Sequence, residues 1–201
     1  AVQAAGTDET AAVMTKMRGA RLSADMIAAI LGSIEDFWRA QMAPNAGNAV
    51  IAAYVEPKLR IFVDDQETLC GNSRRFRGLF YCGAEKRIYF REGTVVRLTS
   101  PDDNSGDFAV AFIVAHEVGH AIQFAVYGGG PLELSRTSSA RIGELSRAFE
   151  LQADCLAGAW ARYVADQGLL DSGDVEEAIA LADRVGDTAE NDSEALHGTA
   201  S

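Results

Sequence analysis

The sequence predicts an α+β fold, with short strands in the first half of the chain and helices in the second. Two observations predict this class. Short segments of alternating polarity occupy the region from about Ala49 to Leu98, whereas apolar residues recur at helical spacing from Asp107 onward. Because no low-complexity linker divides the 201 residues, we expect one domain over 1–201, with a helix and strand half (1–108) and a helical half (109–201).

Two helices are predicted before the strands. The first spans about Glu9 to Met17, and the second runs from Ser23, a residue type that favours the N-cap position, to Met42. The apolar residues of the second helix form one stripe, Ile27, Ile30, Ile34, Phe37, Trp38 and Met42. Two strand-like pieces follow at Leu59–Val63 and Arg87–Phe90, and the alternation in the latter predicts a strand with one covered face.

The helical half contains three predicted helices. The apolar run Phe108–Ala115 has the pattern of a buried helix, and a glycine-rich loop at Gly128–Pro131 ends it. A long amphipathic helix around Glu150 comes next, and a shorter one spans Asp174 to Val185.

The first of these helices carries His116-Glu-Val-Gly-His120. Residues four apart lie on the same helix face, so His116 and His120 can direct ring nitrogens at one tetrahedral cation, with Glu117 beside them as a general base. Two of the three histidines in the chain fall in this motif. The spacing predicts a zinc site, and chance is the alternative explanation.

A catalytic zinc ion usually takes three protein ligands and a water molecule. The arrangement with a third histidine six residues downstream is excluded, because Val126 occupies that position. Glu150 is the candidate third ligand, and Asp154, one turn later, is expected to accept the free ring N–H of a liganding histidine. A solvated acidic face is the alternative for these two carboxylates, since Glu133 and Glu144 are also available.

Beyond these patterns, the sequence resembles a known family, the bacterial neutral zinc metallopeptidases. The residues that carry the resemblance are His116-Glu-Val-Gly-His-Ala-Ile-Gln123, Glu150-Leu-Gln-Ala-Asp-Cys-Leu-Ala-Gly-Ala-Trp160, Gly173-Asp174, Gly186-Asp187 and His197-Gly-Thr199, with Cys70-Gly71, Phe80-Tyr-Cys82 and Ile88-Tyr89 upstream. The block around Glu150 is the most specific. The resemblance implies a zincin-like fold of the thermolysin type, with two histidines and one glutamate on Zn²⁺.

Two features depart from the family pattern. Gly83-Ala84-Glu85 replaces the usual Pro-x-Asp after the second cysteine, and Phe90-Arg91-Glu92 lacks the usual aspartate. The sequence also ends two residues after Thr199, where relatives continue into a Gln-Arg-containing segment, so we expect a shortened form or an atypical member.

The expected reaction is peptide hydrolysis. Glu117 takes a proton from a water molecule that zinc has acidified, and it returns the proton to the leaving amine. His197, where the family has His-Gly, is the candidate stabiliser of the oxyanion; an inert histidine in a polar tail is the alternative, and Tyr127 and Tyr163 are further candidate donors. In zincins an edge strand holds the substrate, and Ile88–Phe90 is the candidate for it.

Cysteine placement bears on the compartment. Cys70 and Cys82 flank a basic turn between the strand-like pieces, and a disulfide there would staple the loop. Such a bond favours an extracytoplasmic protein, either secreted or anchored through a removed N-terminal segment, whereas two free thiols in the cytosol are the alternative. Cys155 is expected to be a small core residue and not a zinc ligand.

Charge and hydropathy restrict the classes of molecule that we expect this protein to bind. The net charge of −11 argues against nucleic acid or an anionic membrane and leaves peptide or protein substrates. We expect no stretch of about 20 apolar residues that would span a membrane, and no leader at the start of the sequence. The leading hypothesis is a zinc metalloendopeptidase. The alternatives are a catalytically impaired zinc-binding regulatory protein and a metallohydrolase acting on a non-peptide amide.

Overall fold

The computed structural model describes residues 23–42, 54–76, 78–93, 107–129 and 139–185. These residues form the predicted α+β fold, with a small sheet in the first half and three helices in the second. The elements are α1 (Ala24–Gln41), β1 (Lys58–Phe62), β2 (Glu67–Thr68), β3 (Gly71–Asn72), a 3₁₀ turn (Ser73–Arg75), β4 (Leu79–Cys82), β5 (Arg87–Arg91), α2 (Asp107–Tyr127), α3 (Ser139–Asp166) and α4 (Asp174–Val185). The helix predicted at Glu9–Met17 lies outside the described residues.

Helix α1 begins at the predicted N-cap. The Ser23 side chain accepts a hydrogen bond from the Met26 backbone N–H at 3.2 Å, which satisfies one of the donors that a helix start leaves without a partner. The apolar stripe faces inward, where Ile27, Ile30 and Ile34 are almost completely buried against α2.

The three-stranded sheet has β5 in its middle. Strand β1 pairs with it in parallel, from Lys58 opposite Arg87 to Phe62 opposite Arg91, and β4 pairs antiparallel on the other side. The prediction that Ile88–Phe90 forms a substrate-binding edge is therefore wrong, because β5 has no unpaired edge to offer.

Both faces of β5 are covered, and not only one as predicted. Ile88 and Phe90 are buried in the main core beneath the helices. On the opposite face, the Tyr89 ring stacks on Phe80 at 5.0 Å, and Phe62 packs against its edge at 6.2 Å. Strand β5 therefore links the helical core to a second, smaller core.

The smaller core is closed by the predicted disulfide. Cys70 and Cys82 are bonded, with their Cα atoms 5.7 Å apart, and Cys82 is fully buried beside Phe80 and Tyr89. The prediction that Cys155 is a core residue is wrong, because Cys155 is exposed. The buried stripe of α3 passes through Ala153 and Ala157, so Cys155 falls on the outer face.

Helix α2 is the central helix of the fold, since α1, α3 and α4 all pack against it. Its segment Phe108–Tyr127 is 20 residues long and apolar enough to suit a membrane span by length and composition alone. The expectation that no stretch is this long and apolar is therefore wrong. However, 67% of this segment is buried inside the protein, as in the core helix of a globular fold. Its length and composition are therefore weak evidence that it crosses a membrane.

Glu35 of α1 is a carboxyl group in an apolar setting. It is 5% exposed, and both of its oxygens lie 2.8 Å from the donating hydroxyl of Tyr54. Burial raises the pKa of Glu35 to about 7; the Tyr54 hydrogen bond opposes this shift, and the charge of Glu56 adds to it.

Stability should consequently fall as the pH rises from about 4.5 to 7. Over that range the folded protein holds a proton on Glu35 that the unfolded chain has released, so the free energy of unfolding decreases by on the order of 3 kcal/mol. Urea unfolding at pH 4.5 and 8 should show this difference shrinking in Glu35→Gln. A matched change at the exposed Glu176, Glu176→Gln, should leave the difference as in the wild type. Equal pH dependence in wild type and Glu35→Gln would contradict the assignment.

Candidate metal centre

The candidate site lies where α2 and α3 cross closely. Gly119 makes the close approach possible, because a Cβ atom at this position would lie 3.1 Å from both the Cα and the carbonyl oxygen of Ala153. Any larger residue at 119 would push the two backbones apart. His116 and His120 flank Gly119 on α2, and they consequently face Glu150 on α3.

Three candidate ligands converge across this contact. The Glu150 Oε2 atom lies 3.1 Å from His116 Nε2 and 3.5 Å from His120 Nε2, and the three ligand atoms all lie within 4.8 Å of one another. Two ligands of a tetrahedral metal with bonds of about 2 Å are roughly 3.3 Å apart, so a small shift would accommodate an ion. Imidazole nitrogens and a carboxylate oxygen are donors that suit zinc and related divalent ions.

The outer nitrogen of each histidine ring is also held. His116 Nδ1 lies 2.8 Å from Asp154 Oδ1, which is the contact predicted for Asp154. His120 Nδ1 lies 2.8 Å from Gln123 Oε1. With both Nδ1 atoms engaged, both Nε2 atoms turn toward Glu150, which is the arrangement that metal binding requires.

Glu117 is the other buried carboxylate at this site. It is 3% exposed, and among the described residues no donor reaches its Oε2 atom. A buried carboxylate oxygen without a partner is costly unless a further polar group or ion is bound there. Glu117 therefore suits a site that takes up a cation and a water molecule.

The electrostatics favour a positive charge between the helices. Burial alone would lower the pKa of His116, but hydrogen bonds to Asp154 and Glu150, with the charge of Glu117, raise it to about 10. Three carboxylates thus stabilise a positive charge on this ring. A divalent cation at the same place would gain from the same three negative charges.

The other residues predicted for the site lie either outside the described residues or away from the candidate ligands. His197 and Glu133 lie outside the described residues. Tyr163 packs on Phe37 of α1, with ring centroids 5.0 Å apart, and it is 13 residues beyond Glu150, or about 20 Å along the helix, so its prediction as a donor at the site is wrong. Glu144 is exposed about 9 Å before Glu150 on the same helix.

Tyr127 also lies away from the candidate ligands, about 10 Å along α2 from His120. Its hydroxyl accepts a hydrogen bond from Gln152 Nε2 at 3.1 Å. Sequence reasoning missed this contact and also the roles of Gln123 and Gly119. The i to i+3 spacing of His120 and Gln123 was the available clue to their contact.

Comparison with known proteins agrees with this geometry. Residues 2–195 match the family described as "Putative neutral zinc metallopeptidase". The chain belongs to this family. No solved structure matches the chain.

Several curated relatives are similar to this family member. "Uncharacterized protein YpfJ" of Escherichia coli K12 is 34% identical over 169 residues, which is 82% of this chain and 56% of that protein. "Uncharacterized protein Mb2605" of Mycobacterium bovis and "Uncharacterized protein Rv2575" of Mycobacterium tuberculosis H37Rv are each 32% identical over 149 residues, which is 69% of this chain and 50% of theirs. The chain thus spans about half the length of the relatives it matches.

Proposed function

We propose that this protein is a zinc-dependent endopeptidase, with His116, His120 and Glu150 as the metal ligands. The observation that carries the proposal is the convergence of these three donors beside Glu117, a buried carboxylate with an unpartnered oxygen. Membership of a family described as zinc metallopeptidases supports the choice of metal and reaction.

Each residue has a defined part in the proposed reaction. When bound, zinc lowers the pKa of a water molecule to about 7 and polarises the substrate carbonyl. Glu117 accepts the proton of the attacking water and delivers it to the leaving amine, and its burial keeps bulk water from competing for that proton. Asp154 holds His116 in the orientation that the metal needs.

The oxyanion requires a further donor, and we assign this role to His197. The assignment rests on the resemblance to the family, which has His-Gly at this place, and on His197 being the third histidine of the sequence, outside the HExxH motif. Its competitors are now fewer, because Tyr163 packs on Phe37 of α1 and Tyr127 lies about 10 Å along α2 from His120.

The proposed setting is extracytoplasmic, with peptides or proteins as substrates and neither nucleic acid nor membrane as a partner of this chain. The Cys70–Cys82 bond supports the setting, since disulfides are rare in reducing compartments. Net charge supports the substrate class, because −11 disfavours polyanions and leaves neutral or basic peptides.

Metal analysis and a peptide digest test the proposal together. The purified chain should contain about one zinc ion per molecule and should cleave casein or a quenched fluorescent peptide. A chelator should abolish cleavage, and added zinc should restore it. Cleavage that survives complete removal of metal would contradict the proposal.

The two alternative functions give different outcomes in the same assays. A catalytically impaired zinc-binding protein would retain one zinc ion per chain and cleave nothing. A hydrolase of non-peptide amides would cleave members of a panel of small acyl amides, would lose this activity with a chelator, and would leave peptides intact.

A further inference from the structure

Gln123 occupies an unusual position for an amide side chain. It lies on α2, one turn after His120, and is only 1% exposed. A buried amide carries two donors and an acceptor that must all find partners. Gln123 finds them in three places, and together these contacts determine how its amide group is oriented.

The carbonyl oxygen of Phe149 settles that orientation. It lies 2.6 Å from Gln123 Nε2, and a backbone carbonyl can only accept, so the atom facing it must be the donating nitrogen. The second hydrogen on this nitrogen is donated to Gln152 Oε1 at 3.0 Å. Gln123 Oε1 is consequently the atom that faces His120 Nδ1 at 2.8 Å.

This orientation fixes the state of the His120 ring. An amide oxygen can only accept, so His120 Nδ1 must carry the hydrogen in the contact. In the neutral ring, Nε2 then holds the lone pair, and this atom is the one that lies 3.5 Å from Glu150 Oε2. The edge-to-face contact between the two histidine rings, with centroids 4.7 Å apart, further limits rotation of the His120 ring.

We propose that Gln123 is a positioning residue, which holds His120 in the Nδ1–H tautomer and so presents Nε2 to the metal. The proposal rests on the metal site proposed above, and it extends outward along one hydrogen-bonded chain. Gln152 on α3 accepts a hydrogen bond from Gln123. Gln152 is held in turn by the exposed Tyr127, because Gln152 Nε2 donates to the Tyr127 hydroxyl at 3.1 Å.

The two histidines thus have unlike supports. His116 is held by the carboxylate of Asp154, and His120 by a neutral amide. The amide adds no further negative charge to a site that already contains Glu117, Glu150 and Asp154. It fixes the ring by geometry alone, and its own anchor is the backbone of α3 one residue before Glu150. The same packing of α2 on α3 that delivers Glu150 therefore also sets the His120 ring.

Zinc affinity and ring tautomer test the proposal separately. Gln123→Met keeps a similar volume but offers only a weakly accepting sulfur, and it should lower zinc affinity by about 10- to 100-fold in competition with a chelator. Gln123→Glu restores an acceptor for His120 Nδ1 but loses the hydrogens donated to Phe149 and Gln152, so it should recover part of that loss. Gln152→Leu changes an exposed residue, should fold normally, and should lower affinity by a smaller factor. Gln41→Ala, an exposed glutamine at the end of α1, is the control and should have no effect.

The tautomer is read from the ring ¹⁵N resonances of the metal-free protein, under conditions where the His120 ring is neutral. Wild type and Gln123→Glu should show a hydrogen on Nδ1 of His120, and Gln123→Met should lose this preference. A hydrogen on Nε2 in the wild type, or an unchanged zinc affinity and tautomer in Gln123→Met, would overturn the proposal. Failure of the zinc site itself would appear instead as wild-type protein that binds no zinc, while the ¹⁵N measurement still decides the role of Gln123.

Discussion

Glu117→Gln should retain about one zinc ion per chain and lose a factor of about 10² to 10⁴ in kcat, the usual contribution of general acid–base catalysis. Glutamine is nearly isosteric with glutamate and still accepts a hydrogen bond, but it cannot take up a proton. The candidate ligands at 116, 120 and 150 are unchanged, so metal binding should persist. KM should change little, because the lost interaction belongs to the transition state.

Steady-state cleavage of a quenched peptide, combined with metal analysis of the same sample, measures both quantities. Glu144→Gln provides a matched control, because it makes the same chemical change at an exposed position on α3. The control should cleave at the wild-type rate. A Glu117→Gln protein that cleaves normally would show that another group moves the proton, and one that has lost its zinc would show that the carboxylate binds metal.

The pairs of candidate residues on each helix could be predicted from sequence because each pair depends on helical spacing. His116 and His120 are four residues apart, as are Glu150 and Asp154, so each pair shares one helix face wherever its helix lies. The apolar run before His116 and the amphipathic pattern around Glu150 also indicated which helix faces would be buried. Local periodicity was therefore sufficient to pair the residues within each helix, but it left Glu133 and Glu144 as alternatives, and the family resemblance favoured Glu150.

The predictions for β5 were wrong because they depend on which strands and loops pack against it in the folded protein. Alternation within Arg87–Arg91 identifies a strand, yet nothing local states that β1 and β4 pair on its two sides. Nor does it show that a disulfide-closed loop covers Tyr89. The prediction that Cys155 lies in the core was wrong for a smaller reason. Cys155 follows Asp154 by one residue, which rotates its side chain by about 100° around the helix axis and away from the inner side.

Gln123 shows a further limit of sequence reasoning. Its closeness to His120 follows from spacing, but its orientation follows from the Phe149 carbonyl on another helix. Similarly, Gly119 in the motif has no evident purpose until Ala153 is seen 3.1 Å from where its Cβ would be. Both features belong to the α2–α3 contact, which no single helix encodes.

Removal of any one ligand should strip the metal. His116→Ala, His120→Ala and Glu150→Ala each leave two protein donors, too few for stable zinc binding, and cleavage should fall to background. Asp154→Ala removes only the group behind His116, so it should weaken zinc by about 10- to 100-fold and leave cleavage recoverable with excess zinc. Glu144→Ala should match the wild type in both respects, since Glu144 is exposed about 9 Å away.

Thermal unfolding with and without zinc gives a second measure that does not depend on turnover. A ligand that binds only the folded state adds RT ln(1 + [L]/Kd) to stability, so zinc at 100 times its Kd should stabilise the wild type by about 2.7 kcal/mol. This gain should vanish in the three ligand variants and shift to higher zinc concentrations in Asp154→Ala. If Glu150→Ala keeps the full gain while Glu144→Ala loses it, the third ligand is Glu144. The α2–α3 contact would then have to be displaced along α3 by more than one turn, because the two glutamates are six residues apart.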